Sequence, residues 1–134
     1  MRITRRLEFD AGHRIPDHAS QCRHLHGHRY ALEVTLSGNF ADVKKVANEM
    51  IVDRWDHAFL VYRDDTQVAA FLASMPGHKT VTLDVVPTAE NLAAEAFRVL
   101  DGAYQDVYGN QLQLERVRLY ETPNCWADAV RGER

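Results

Sequence analysis

The residues with the clearest capacity for chemistry are histidines. Five of the seven histidines in the chain (His13, His18, His24, His26 and His28) fall within sixteen consecutive positions. His26-Gly27-His28 places two imidazoles two residues apart. In an extended chain they point to the same face, and the intervening glycine adds no bulk to the other face. His13, in Phe9-Asp10-Ala11-Gly12-His13, is the candidate third member if a neighbouring antiparallel strand brings it alongside. Three neutral imidazoles leave a fourth position on zinc open, which is the pattern of a catalytic rather than a structural site. The His-x-His spacing by itself also describes a pair of surface histidines; the clustering favours metal.

Cys22 lies four residues before His26, within the polar run Ser20-Gln21-Cys22-Arg23-His24. A thiol beside a metal or a protonated histidine has a lowered pKa and can serve as base or nucleophile. Most free cysteines are small buried hydrophobes, and Cys125, before Trp126 and Ala127, is read that way. Asp56-His57 could form a relay in which the carboxylate orients the imidazole, or could be a solvated loop. Glu121 closes the run Tyr120-Glu121-Thr122, where a carboxylate could accept two hydrogen bonds from a guanidine-like edge or simply face solvent. Glu90 is accounted for as an acid in the first turn of a helix.

The elements that must position these groups are legible from periodicity. Arg2–Phe9 carries Ile3, Leu7 and Phe9 at period two and reads as a strand. In His28–Ser37, Tyr30, Leu32, Val34 and Leu36 alternate with Ala31, Glu33, Thr35 and Ser37, the pattern of a half-buried antiparallel strand. Val43, Val46, Ala47, Met50 and Ile51 predict an amphipathic helix over Ala41–Arg54. Gln67–Met75 reads as a short helix stopped by Pro76 and Gly77, and Lys79–Val86 as a strand. Thr88 caps a long helix with a stripe of Leu92, Ala96, Phe97, Leu100 and Tyr104, ended by Gly109 and Asn110. Gln111–Thr122 is a last strand with a phase change between Leu114 and Val117 that predicts a bulge. Two long strands with no helix between them favour an α+β fold, with an antiparallel four-stranded sheet and helices on one face.

With 134 residues and 46 % apolar content, the chain is expected to form a single domain over 1–134. A net charge of −3 argues against nucleic acid or an anionic membrane as partner. No apolar run approaches the ~20 residues that span a bilayer, and the arginine-rich start lacks the apolar segment of a secretory signal. Two cysteines make no disulfide framework, so a reducing cytoplasm is the expected compartment.

Taken together, Phe9-Asp10-Ala11-Gly12-His13-Arg14, Cys22-Arg23-His24-Leu25-His26-Gly27-His28, Trp55-Asp56-His57, Pro87-Thr88-Ala89-Glu90-Asn91 and Tyr120-Glu121-Thr122 resemble the superfamily of 6-pyruvoyl- and 6-carboxytetrahydropterin synthases. The likeness runs from Phe9 to about Ala127. It implies zinc on His13, His26 and His28, a catalytic Cys22, a proton-transferring Asp56–His57 pair and a pterin-anchoring Glu121. The Cys-x3-His-Gly-His spacing is similar to the bacterial 6-carboxytetrahydropterin synthases of queuosine biosynthesis. That resemblance implies a zinc-dependent lyase converting 7,8-dihydroneopterin triphosphate to 6-carboxy-5,6,7,8-tetrahydropterin, acetaldehyde and triphosphate. It also implies the tunnelling fold and a trimer-based homo-oligomer, as a hexamer, with active sites between subunits. A 6-pyruvoyl-tetrahydropterin synthase and a zinc-dependent binding or assembly module are the competing readings. Arg14, Arg29 and Lys79 are unranked candidates for the triphosphate. Two departures stand out: Trp55 occupies a position usually held by leucine, and Ser37-Gly38 runs into Asn39-Phe40-Ala41-Asp42 where the family has a longer connection.

Overall fold

The computed structural model describes residues 1–38 and 42–133. The first two strands, β1 (Arg2–His13) and β2 (His26–Gly38), pair antiparallel along their whole length. Their register puts Leu7 opposite Leu32, Phe9 opposite Tyr30, Ala11 opposite His28 and His13 opposite His26. One face of the pair is therefore apolar along most of its length and ends in imidazoles. Tyr30, Leu32, Val34 and Leu36 are fully buried there. Ala31 and Thr35, on the other face, are buried too, so that face is less open than the alternation suggests.

The next segment is helical in three pieces: α1 (Val43–Ala47), a π-turn (Asn48–Val52) and α2 (Asp53–Trp55). The Asp42 carboxylate caps its start, accepting from the Lys45 amide. Val43, Val46, Ala47, Ile51 and Trp55 form the buried stripe. Trp55 packs edge-on against Phe9 with ring centroids 6.0 Å apart, a core contact. The expected helix boundary at Ala41 and the short connection through Asn39 and Phe40 lie outside the described residues. Gly38 just before them has φ +124°, and a side chain there would run into the Gln111 carbonyl.

Then follow β3 (Ala58–Tyr62), α3 (Thr66–Ala73), β4 (Thr80–Leu83), α4 (Ala89–Tyr108), β5 (Leu112–Thr122) and β6 (Cys125–Val130). The Thr88 side chain accepts from the Asn91 amide to start α4, and Gly109 at φ +59° ends it. Leu92, Ala93, Ala96, Leu100 and Tyr104 pack its inner face onto the sheet, while Phe97 is only partly buried.

The α+β class with helices on one face holds, but the sheet has six strands in the order β4-β3-β1-β2-β5-β6 rather than four. It is also not wholly antiparallel: β3 runs parallel to both β1 and β4. β3 was missed because Ala58-Phe59-Leu60-Val61-Tyr62 is a continuous apolar run with no period of two. β6 was missed because its alternation is short and half-exposed. The bulge falls where the phase change put it: Thr35 pairs with Arg116 and Leu36 with Leu114, leaving Glu115 as the extra residue.

The sheet face opposite the core carries a lattice of ion pairs. Arg29 reaches Asp10 at 3.0 Å and Glu8 at 3.4 Å, Arg6 reaches Glu33 at 3.1 Å, and Arg118 reaches Asp128 at 2.7 Å. The Arg6 and Arg118 guanidinium groups also lie over the Tyr120 and Trp126 rings at 4.9 and 5.0 Å.

Candidate metal centre and proton-transfer pair

The β1–β2 register does for the histidines what it does for the core. His13 and His26 face each other across the pair, His28 follows two residues on, and the three ring centroids are mutually 4.6, 5.1 and 4.9 Å apart. Gly27 lies opposite Gly12 on the other face. A Cβ at Gly27 would sit 3.2 Å from the Ala11 carbonyl oxygen of β1, and one at Gly12 only 2.8 Å from the Phe59 ring of β3, so the missing side chains let β2 and β3 lie this close to β1.

Two of the rings are held from behind by backbone. His13 Nδ1 lies 2.8 Å from the Pro87 carbonyl oxygen, and His26 Nδ1 lies 2.6 Å from the His24 carbonyl oxygen. A carbonyl only accepts, so Nδ1 carries the proton in each ring and Nε2 keeps its lone pair. His13 is 1 % exposed. His13 Nε2 and His28 Nε2 are both buried and have no aligned hydrogen-bond partner among the described residues. Buried polar atoms without aligned partners are rare, and two imidazole nitrogens gathered with a third ring around one carboxylate fit a bound cation. Burial lowers the His28 pKa, outweighing the opposing pull of Glu121, and so favours the neutral imidazole that a metal requires.

Glu121 joins this group from β5. One oxygen lies 2.9 Å from His28 Nε2 and 3.5 Å from His13 Nε2, and the four side chains offer ligand atoms all within 4.8 Å of one another. The contact with His13 holds its carboxyl below the ordinary range despite desolvation, with His28 and His26 adding to the effect. The resemblance implies ring recognition for Glu121; the geometry makes it equally a fourth candidate ligand. Tyr30, packed against His13 and His28, is so buried that its hydroxyl is held protonated, its pKa pushed far above the usual value.

Asp56 and His57 form a second group with Asp10. Asp56 Oδ2 lies 2.9 Å from His57 Nδ1. The pair is fixed to β1 through the Asp10 backbone, whose N–H donates to Asp56 Oδ1 at 2.9 Å and whose carbonyl accepts from the His57 amide at 2.6 Å. The hydrogen bond from the Asp10 amide, followed by the contact with His57, keeps the Asp56 carboxyl below its ordinary pKa. His57 has φ +59°, an uncommon conformation for a non-glycine residue, and its side chain is 76 % exposed. Lys79 donates to the Asp53 and Asp56 carbonyls at 2.8 and 2.5 Å, neutralising the end of α2 beside the pair.

Cys22 is half-buried in a 3₁₀ turn, Gln21–Arg23, capped by Ser20. Cys125 is exposed, which corrects its reading as a buried hydrophobe: it sits at the start of the edge strand β6, where no core reaches it. The three candidates for an anion site are each engaged within the chain. Arg14 pairs with Asp65, Arg29 with Asp10 and Glu8, and Lys79 with backbone carbonyls. Pro87 and Asp10 act here through their backbone, which side-chain chemistry cannot reveal; their position inside two of the quoted motifs was the available signal.

A strand-paired histidine cluster able to hold a metal, at the end of a sheet with helices on one face, defines a protein of the tunnelling-fold class. Residues 2–132 match the 6-pyruvoyl tetrahydropterin synthase family, and the chain belongs to it. It is similar to the 6-carboxy-5,6,7,8-tetrahydropterin synthase of Rickettsia felis, at 34 % identity over 96 % of this chain and 99 % of that one. It is also similar to the enzyme of that name from Haemophilus influenzae, at 29 % identity over 95 % and 96 %. Among solved structures, an uncharacterized protein from Wolinella succinogenes superposes with a TM-score of 0.78 at 21 % identity, covering 98 % of both chains. The 6-pyruvoyl tetrahydropterin synthase of Caenorhabditis elegans gives 0.66 at 24 %, covering 97 % of this chain and 94 % of that one. At these identities both likenesses establish the fold.

Proposed function

We propose that this protein is a zinc-dependent lyase that converts 7,8-dihydroneopterin triphosphate to 6-carboxy-5,6,7,8-tetrahydropterin, acetaldehyde and triphosphate, in the cytoplasmic synthesis of queuosine. The observation that carries the reading is the pair of buried Nε2 atoms of His13 and His28, which have no aligned hydrogen-bond partner among the described residues and face one another and the Glu121 carboxylate, with His26 beside them and two Nδ1 protons already committed to carbonyls. Curated relatives named for this reaction, over nearly the whole chain, support the substrate class.

His13, His26 and His28 would hold the zinc. All-nitrogen ligation by neutral imidazoles suits that ion. When bound, the ion supplies Lewis-acid stabilisation of negative charge on the substrate's side-chain oxygens. The remaining work falls to this chain's side chains. Glu121 accepts the 2-amino and N3–H groups of the pterin through its two oxygens, which sets the side chain of the substrate against the histidine cluster. Ionised Glu121 is the form needed, and it is the ordinary form of a glutamate at neutral pH. Cys22 takes a proton on one side of the substrate side chain. His57, oriented at Nδ1 by Asp56, exchanges a proton through its other ring nitrogen, Nε2. The exposure of His57 fits an active site completed by a second copy of the chain.

The test is incubation of zinc-loaded protein with 7,8-dihydroneopterin triphosphate, followed by mass analysis of the pterin and assay of acetaldehyde. A 6-carboxy product with acetaldehyde supports the proposal. A 6-pyruvoyl product without acetaldehyde moves the protein to the pyruvoyl activity, and tight zinc binding with no turnover makes it a binding module.

A further inference from the structure

We infer that Asp65 is a positioning residue, which through Arg14 fixes the junction between His13 and the turn that carries Cys22. The inference rests on the reading that Cys22 works beside the histidine cluster. Asp65 stands immediately before α3, 51 residues from Arg14, and its side chain is 4 % exposed. Both of its oxygens are taken by one guanidinium: Arg14 Nε reaches Oδ2 at 2.7 Å and Nη2 reaches Oδ1 at 2.5 Å. Arg14 follows His13 directly. The next residue, Ile15, donates its amide to the Cys22 carbonyl at 2.7 Å, closing the loop on itself.

Three consecutive residues are thus pinned in three directions: His13 to Pro87, Arg14 to Asp65 and Ile15 to Cys22. A forked guanidinium–carboxylate pair fixes angle as well as distance, which a single ammonium contact does not. An apolar pair of the same volume would serve stability as well or better. What the ion pair adds is orientation, and it adds it where β1 leaves the sheet and the chain turns back through Cys22 to His26. Arg14 is accordingly engaged with the protein through two of its three guanidinium nitrogens.

Arg14→Lys and Asp65→Asn, made in the full chain and loaded with zinc, test this. Arg14→Lys keeps the charge and most of the stem but cannot fork, so it answers even where Asp65→Asn fails to fold. The expected result is a loss in kcat of about 10- to 100-fold, with zinc content retained and KM within about threefold. Native-state hydrogen exchange at the Ile15 amide should rise by about tenfold or more while the α4 amides keep their protection. A zinc-loaded Arg14→Lys protein with kcat within about twofold of wild type, or Ile15 exchange that is unchanged or rises only with every other amide, overturns the inference. If the wild-type protein fails to turn over the pterin triphosphate, the functional proposal falls instead, and the Ile15 exchange comparison alone decides the role of Asp65.

Discussion

At the scale of single residues, the two cysteines separate cleanly. Cys22 lies in a capped polar turn and accepts the loop-closing amide of Ile15 at its own carbonyl, whereas Cys125 is exposed on an edge strand. Cys22→Ala is expected to lower turnover by about 10²- to 10⁴-fold, the range for removal of a positioned proton-transfer group, with zinc and fold retained. Cys125→Ala should retain near wild-type turnover and, being outside the core, near wild-type stability. Turnover of the two variants at equal zinc content checks this; a Cys22→Ala enzyme that still works removes Cys22 from the mechanism. Glu121 makes a second residue-scale prediction. Glu121→Gln replaces one accepting oxygen by a donor, so pterin affinity should fall by about 1–3 kcal/mol, read as a higher Kd for a non-reacting pterin by calorimetry. Unchanged pterin affinity with weakened zinc binding would show that Glu121 serves the metal instead.

At the scale of elements, the ion pair between Arg14 and Asp65 ties the end of β1 to the start of α3. The hydrogen bonds from Arg14, opposed by burial, hold the Asp65 carboxyl below its ordinary pKa. A carboxyl with a depressed folded-state pKa contributes stability that is fully present above its unfolded value, near ~4, and is lost as pH falls through the lower folded value. Asp65→Asn should therefore destabilise the protein by about 1.5–3 kcal/mol at neutral pH, the worth of hydrogen bonds to a charged group. That difference should shrink as pH falls below ~4. Denaturant unfolding of both proteins at a series of pH values measures it, and a gap that is constant with pH would mean that the carboxylate charge contributes nothing.

At the scale of the whole molecule, the outer strands β4 and β6 each have one unpaired edge within this sheet, and Trp126 on β6 is 48 % exposed. Open edges of this kind invite pairing with another chain. The exposure of His57 fits the proposal that a second copy completes the site. The expected assembly is a homo-oligomer built from trimers. Sedimentation at micromolar concentration should show it, and a monomer there would contradict both the assembly and the shared active site.

How much of this was legible in the sequence depends on the range of the forces involved. The long helix, the first two strands, the bulge at Glu115 and the clustering of His13, His26 and His28 were set by local periodicity and by residue spacing on a strand. Those patterns survive in one dimension because each element buries one face. The strand β3, its parallel pairing, the exposure of Cys125 and the approach of Glu121 to the imidazoles depend on which segments meet. So do the Pro87 carbonyl behind His13, the Asp10 backbone behind Asp56 and the Asp65 carboxylate behind Arg14. Backbone groups are common to every residue type and carry no signature in the sequence, and a buried carboxylate finds its guanidinium only once the chain has folded. The residues that could do chemistry were therefore determined by the sequence, while the tertiary structure alone decided what holds them in place.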